Sequence, residues 1–393
     1  MKFFHTADWH LGKLVQGVYM TNDQSYILEK FIQAVEEEQP DAVIIAGDLY
    51  DRAVPPTEAV HLLDETLGKI VLELNIPVLA IAGNHDSPSR LDFGSKILRE
   101  NGLHIAGNLS KPIRPVVLHD AYGEVHVYLI PYCDPSIVRH VFGNDTVRTH
   151  NDAMKIIIQH IEASMDPNAR HVFVGHAFVT PYGESEANTS ESERPLSIGG
   201  SEYVEADLFH SFHYTALGHL HQAHYVKRKE IRYAGSPLKY SISEENHRKG
   251  FFIVNVDGEG EVEIEKQLLL PKREMRTVEG ALDDLLQQPM NEDYVFIKLT
   301  DETPVLSPME KLRSVYPNAM HVERKTFFTT PDASEKEKMV ERTKMSDMEL
   351  FEAFYKEVKG EAPDEETVKL FQETLHDLLT EQDETKDATH TLQ

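Results

Sequence analysis

Short, almost wholly apolar runs alternate with longer amphipathic stretches over the first two thirds of the chain, and this alternation predicts an α/β core. The runs are Phe3–Ala7, Ala42–Ala46, Val78–Ala82, Val127–Ile130, Val172–Val174 and Thr215–Leu217. None has a polar side, so each is expected to be a strand covered on both faces, which by periodicity alone reads as a parallel sheet. Asp23–Glu38 and Thr57–Leu74 carry helical spacing between them.

From about Leu268 the pattern changes. Thr277–Leu286 reads as a helix and Tyr294–Leu299 as a strand. Ser307-Pro308-Met309-Glu310 has the form of a capping box with proline at the first helical position. Its helix should end before Pro317, and His321–Arg324 reads as another strand. A small separate α+β unit is expected here. A charged linker, Pro331–Lys344, leads to a second capping box, Ser346-Asp347-Met348-Glu349. Leu350, Phe351, Phe354, Tyr355 and Val358 then share one helical face. Gly360 is a stop, Pro363-Asp364 a restart, and Val368, Phe371, Leu375 and Leu379 form a second apolar stripe. The two stripes either pack on each other or form a surface for a partner. Glu381–Gln393 is polar and expected to be disordered. The organisation expected is 1–268, 269–335, 336–380 and 381–393.

At 393 residues the chain exceeds one ordinary core. No apolar run reaches membrane-spanning length, and Met1–Ala7 is too short for a signal peptide. The single cysteine, Cys133, excludes an internal disulfide and fits a reducing cytoplasm, the expected location. The net charge of −27 argues against nucleic-acid binding, because phosphates call for Lys and Arg. That charge is uneven, however: Pro331–Gln393 holds 18 Asp and Glu against 8 Lys and Arg. Bound divalent cations would also reverse the sign locally.

The informative positions are the ends of five apolar runs. They read Asp8-Trp9-His10, Gly47-Asp48-Leu49-Tyr50-Asp51, Gly83-Asn84-His85-Asp86, Gly175-His176 and Gly218-His219-Leu220-His221. Ligands of open α/β sheets bind beyond the carboxyl ends of strands, so all five would meet on one rim. Any one cluster is ordinary loop punctuation, and with 21 histidines a single one means little. All five together point to metal. Carboxylates, an amide and imidazoles without thiolate suit manganese, iron, zinc or magnesium rather than a structural cysteine site. Two such ions can clamp the attacking and leaving oxygens of an in-line phosphoryl displacement, with Asp48 as the candidate bridge.

The ordered set resembles the calcineurin-like metallophosphoesterase superfamily. That resemblance implies a β-sandwich of two mixed sheets flanked by helices and so revises the parallel-sheet reading. Asn84–Leu91, Ser192–Leu196, Ile198–Gly200 and Tyr233–Pro237 are further similar to the SbcD family of nuclease subunits. The resemblance spans nearly the whole chain and implies a metal-dependent nuclease acting on DNA. It implies a 3′–5′ double-strand exonuclease and single-strand endonuclease, processing DNA ends and hairpins. It further implies an SbcC-like coiled-coil ATPase partner held by the C-terminal helical pair, and a homodimer formed near Thr57–Leu74 and Pro88–Glu100. One ion would be held by Asp8, His10, Asp48 and His221, the second by Asp48, Asn84, His176 and His219, with manganese expected. His85 would lie beside the scissile phosphate and stabilise the transition state or protonate the leaving oxygen.

Asp86 is expected either to orient the His85 ring or to cap a helix, and Asp51 to stand behind the ligands or in a turn. Arg90 and Arg194 are candidates for phosphate contacts, against the commoner surface salt bridge. The stretch Gly183–Gly200 is either a flap over the site or a surface loop. Two other classes compete: another metallophosphoesterase, such as a protein phosphatase, cyclic-nucleotide phosphodiesterase or nucleotidase, and a non-catalytic scaffold. Gly47–Arg52 is similar to the protein phosphatases, but Ala53-Val54-Pro55-Pro56 follows where they have glycine.

Overall fold

The computed structural model describes residues 1–182, 190–193, 196, 202–301, 303–324, 346–359, 362–372 and 374–375. It divides into two compact units, Met1–Lys325 and Thr326–Gln393.

The first unit is built on two six-stranded mixed sheets. In the first, Lys2–Thr6, Ala42–Ile45, Val78–Ile81 and Leu103–Ala106 run parallel. Gly250–Val256 pairs antiparallel with Lys2–Thr6, and Val262–Leu268 pairs antiparallel with Gly250–Val256 at the edge. In the second, Gly123–Ile130, Arg170–His176, Tyr214–Gly218 and Arg228–Tyr233 run parallel, with antiparallel edges Val116–Asp120 and His224–Val226.

The alternation of side chains explains why the runs lack a polar side. Ala42 and Ile44 join Phe3, Leu79 and Ile81 between the sheets, against Val125, Val127, Val172, Val174 and Ala216 of the other sheet. Val43 and Ile45 face the opposite way, onto Ile27, Leu28 and Phe31 of the helix Thr21–Glu38 and Leu63 of Thr57–Gly68. The outer face of the second sheet buries Tyr128, Phe173 and Leu217 against Ile157, Ile158 and Ile161 of the helix His150–Glu162. The sandwich is therefore the mixed-sheet fold that the resemblance implies, not the all-parallel sheet that periodicity implies. The antiparallel strands are what periodicity omitted.

Thr277–Leu286 is not one helix. It is a strand, Met275–Gly280, followed by a short helix, Leu282–Leu286. Thr277 and Val278 are β-branched and favour the pleated partner Tyr294–Leu299, while Leu282 and Leu285 fill the same small core. Two elements thus imitate one helical stripe. Pro308 opens the helix Pro308–Leu312 as expected, but Ser307 forms no side-chain cap. Its φ of +49° is left-handed, whereas capping needs extended backbone at that residue. The three-stranded sheet, which Ala319–Arg324 completes, is tied to the sandwich through Asp23. Arg273 reaches that carboxylate at 3.1 Å and the Tyr294 hydroxyl donates to it at 2.7 Å.

In the second unit the Ser346 capping box is formed: its hydroxyl accepts from the Glu349 N–H at 3.4 Å and its N–H donates to Oε2 at 2.7 Å. The helix Asp347–Lys359 follows, and residues 365–372 are again helical. The Phe351 and Phe371 rings stack with centroids 4.0 Å apart, so the two stripes meet. Phe354 and Leu370 remain exposed. The Pro331–Lys344 linker, Gly360, Leu379 and the tail Glu381–Gln393 lie outside the described residues, as does the side chain of Val358.

Candidate metal centre

The loops after the first two strands continue their pairing. Asp8 N–H donates to Gly47 O at 3.0 Å, and His10 N–H to Asp48 O at 2.9 Å. This pairing sets Asp8 and His10 beside Asp48. Asp8, His10, Asp48 and His219 all have positive φ (55°, 45°, 51° and 107°), a costly conformation for residues with a Cβ. Two glycines allow the closest approaches. A Cβ on Gly47 would lie 2.3 Å from Nδ1 of His176, and one on Gly83 would lie 2.1 Å from Oδ1 of Asp48.

Potential ligand atoms gather in overlapping groups, each within 4.8 Å: Asp8 with His10 and His221; Asp8 with Asp48 and His176; His10 with Asp51 and His85. Asp8 therefore stands within reach of both principal groups, whereas the sequence reading gave it to one. Asn84 joins through Oδ1, 2.9 Å from Nε2 of His176. The His219 ring lies 5.4 Å from that of His176, and its backbone N–H donates to Asp8 at 2.9 Å.

The donor set fits divalent cations. Nδ1–H of His176 donates to Ala46 O at 2.9 Å, which leaves Nε2 a lone pair facing the Asn84 oxygen and, at 3.4 Å, Oδ2 of Asp48. Lone-pair atoms that close need a positive charge among them, either a proton or a cation. Nε2 of His10 and Nε2 of His221 face each other at 3.0 Å. Adjacent ligands on one ion, with bonds of about 2.1 Å, stand about 3 Å apart. Nδ1 of His10 is buried without a hydrogen-bond partner among the described residues.

Electrostatics agree with that fit. Burial pushes the Asp8 carboxyl up to about 7, with His176 and His221 opposing. Burial also opposes charge on Asp48, but the neighbouring His176, His10 and His85 rings outweigh it and hold that carboxyl well below the usual range. Burial lowers His10 and His219 well below the ordinary imidazole value. His176 rises to about 9, because Asp48 and Asp8 outweigh its burial. The carboxylates of Asp8 and Asp48 thus favour positive charge beside them, which a cation would supply.

His85 is half-buried beside this set. Its N–H donates to Oδ1 of Asp48 at 2.9 Å, and its ring Nδ1 meets Asp51 O at 2.8 Å. Asp86 neither orients that ring nor caps a helix. It accepts from the backbone N–H groups of Leu49, Tyr50 and Gly83 at 3.1, 2.9 and 2.9 Å. It is a brace that fixes the Asp48 loop to the Asn84 loop, because three converging N–H donors satisfy a buried carboxylate better than one imidazole. Burial raises it to about 7. The Asp51 carboxylate pairs with Lys13 at 2.7 Å. Arg90 is exposed on the short helix Pro88–Leu91. Arg194, Ile198–Gly200 and most of the stretch Gly183–Gly200 lie outside the described residues.

Sequence reasoning singled out Ser192–Leu196 without a role for Ser192 or Glu193, and it missed Glu244 and Lys249; all four stand behind His221. Its Nδ1 meets Ser192 Oγ at 2.8 Å and Glu244 Oε1 at 3.1 Å, and its N–H donates to Glu193 at 2.6 Å. Lys249 donates to Glu244 and to His221 O. Gln24 ties the Trp9 and His10 carbonyls to the Tyr240 hydroxyl. Glu244 and Lys249 sit in an ordinary polar stretch, and only their burial marks them.

Residues 1–223 match the family described as calcineurin-like phosphoesterase, and residues 271–359 match one described as Type 5 capsule protein repressor C-terminal domain. The chain is 37% identical over 360 residues to the SbcD subunit of the SbcCD nuclease of Staphylococcus epidermidis, covering 91% of this chain and 93% of that protein. It is 36% identical over 366 residues to the protein of the same description in Staphylococcus saprophyticus, covering 92% and 94%. Among solved structures, a dimetal phosphatase from Danio rerio is 11% identical, covers 69% of this chain and 96% of its own, and has a TM-score of 0.39.

Proposed function

We propose a reaction for this chain on the premise that it belongs to the calcineurin-like phosphoesterase family and, within that family, to the SbcD nuclease subunits. It is a metal-dependent phosphodiesterase that cleaves DNA and works with an SbcC-type partner. The observation that carries this reading is the convergence of Asp8, His10, Asp48, His176 and His221, from four strand ends in two sheets, into ligand groups that share Asp8.

Asp8, His10, Asp48 and His221 would hold one cation, and Asp48, Asn84, His176 and His219 the other. Bound there, two divalent cations supply a lowered pKa for water and neutralise charge on the phosphoryl oxygens. The protein's own part is positional. Asp86 fixes the two ligand loops to each other, and Ser192 with Glu244 orients His221. The Asp51 carbonyl fixes the His85 tautomer, so Nε2 carries the exchangeable position toward the leaving oxygen.

Manganese is the metal we favour, since the donors are oxygen and imidazole without thiolate. The expected products are those of a 3′–5′ double-strand exonuclease and a single-strand endonuclease. Residues 1–268 would carry the chemistry, 269–335 would cap it, and 336–380 would hold the ATPase, with Phe354 65% exposed beside the stacked aromatic pair. Phe93 (85% exposed), in the turn between the helices Pro88–Leu91 and Ser95–Leu98, and Ile97 (74%), with Val60 and Leu72, support a homodimer through this surface. The deciding experiment is manganese-dependent digestion of linear duplex and single-stranded DNA, set against phosphopeptides and mononucleotides. Turnover of phosphopeptides without turnover of DNA would overturn the reading.

A further inference from the structure

A cavity of about 370 Å³ opens between Leu103–Ala106, at the edge of the first sheet, and the end of Gly123–Ile130 in the second. Arg99, His104 and Arg114 line it, opposite an apolar wall that includes Ile113, Pro115 and Leu129.

Its charges are free. In a chain of net charge −27, neither the Arg99 nor the Arg114 guanidinium has a hydrogen-bond or ion-pair partner among the described residues. Arg170, Arg273 and Arg276, by contrast, each sit on an aspartate. Nδ1 of His104 is buried and also lacks a hydrogen-bond partner among the described residues, a state disfavoured unless something meets it. A second cavity, of about 310 Å³, has less free charge: its Lys239, Lys249 and Arg273 are already paired with Glu274, Glu244 and Asp23, and of its arginines only Arg248 has no such partner among the described residues.

One end of the cavity, at Ala106 and Ile130, reaches toward the catalytic rim, while Arg99 stands at the other end, before Leu103. Ala82 N–H donates to Ala106 O at 3.0 Å and Ala82 O accepts from Tyr132 N–H at 2.8 Å. Both walls therefore flank the strand that delivers Asn84 and His85. A Cβ on Gly107 would lie 2.1 Å from the Pro88 carbonyl, so the cavity loop lies against the segment just after His85.

We infer that this cavity is a nucleotide subsite. The two guanidiniums take the phosphodiester of a nucleotide neighbouring the scissile linkage, and the apolar wall takes its deoxyribose. A planar guanidinium fork matches phosphate geometry, and a cavity of a few hundred Å³ is of ligand size. The inference rests on the nuclease reading of the metal centre.

The test uses the full chain with manganese, as wild type, Arg99→Ala, Arg114→Ala and the double variant. One substrate is a single-stranded oligonucleotide. The other is bis(4-nitrophenyl) phosphate, which is too small to reach beyond the metal centre. Losing two phosphate contacts should raise the oligonucleotide KM about tenfold in the double variant, with kcat and turnover of the small diester within about twofold of wild type. In EDTA, the slope of log K against log salt for a labelled oligonucleotide should become shallower by about 1.4, about 0.7 per single-strand contact. An unchanged KM and salt slope overturns the subsite while wild-type cleavage of DNA leaves the nuclease reading standing. Equal losses on both substrates also overturn it, because the arginines would then serve the metal centre or the fold. Wild-type protein that turns over the small diester but neither binds nor cleaves DNA overturns both readings.

Discussion

Glu244 holds His221 from behind: its Oε1 lies 3.1 Å from Nδ1, and both side chains are buried. The same carboxylate takes the buried Lys249 ammonium. The contact to Nδ1 leaves Nε2 facing His10. Glu244→Gln should lower cation affinity about 10–100-fold, as loss of such a partner does. It also strands the Lys249 charge, which should cost about 3–5 kcal/mol. Glu244→Gln/Lys249→Met should recover stability but not cation affinity. Urea unfolding of metal-free protein and calorimetric titration with manganese separate the two effects.

His85→Ala should keep both cations and lose about 10²–10⁴ in turnover. His85 touches Asp48 only through its backbone N–H, which alanine retains. Elemental analysis of the purified variant decides this. A missing ion would make His85 a ligand instead.

Asp48→Ala should lose at least one ion together with activity. At cation concentrations near 100 times the dissociation constant, wild type should gain about 2.7 kcal/mol of stability, and EDTA should reverse the gain. The variant should show a smaller shift in thermal scans with and without manganese.

Two parallel bonds from Arg170, 2.6 and 2.9 Å long, hold the Asp120 carboxyl well below the usual carboxylate range. Because the folded value is depressed, the stabilisation is present above the unfolded value of about 3.9 and fades as pH falls through the folded one. Asp120→Asn should cost about 1–3 kcal/mol at neutral pH, and the gap to wild type should narrow under strong acid. Urea unfolding at pH 7 and at the lowest pH at which the wild type still folds measures it. An equal gap at both would assign the contact to shape rather than charge.

Removing Ser346–Leu379 should leave metal-dependent nuclease activity and abolish co-purification with an SbcC-type ATPase. A milder probe is Phe354→Glu, which changes an exposed face and spares the Phe351–Phe371 stack. If the deleted form still binds the ATPase fully, the helical pair is not the docking element.

The strands that carry ligands were legible because each is covered on both faces, so that Ala42–Ile45 or Val78–Ile81 reads as an unbroken apolar run. The donors that end them were legible because glycine beside Asp, Asn or His marks a strand-end turn. The Met275–Gly280 strand was not legible, since its apolar residues and those of Leu282–Leu286 fall at helical spacing by coincidence of two elements. The Ser307 cap failed for a local reason, its left-handed backbone, which residue types do not announce.

The sequence alone determined which side chains are able to hold metal, the order in which the strands deliver them, and the helix-capable C-terminal pair. Those follow from local chemistry and local periodicity. Only the tertiary structure decided that Asp8 reaches both ligand groups, that Asp86 braces two loops instead of orienting His85, and that Glu244 and Lys249 stand behind His221. Each of those depends on how deeply a group is buried and what lies across from it. Those quantities arise when two sheets pack, and residue spacing does not encode them.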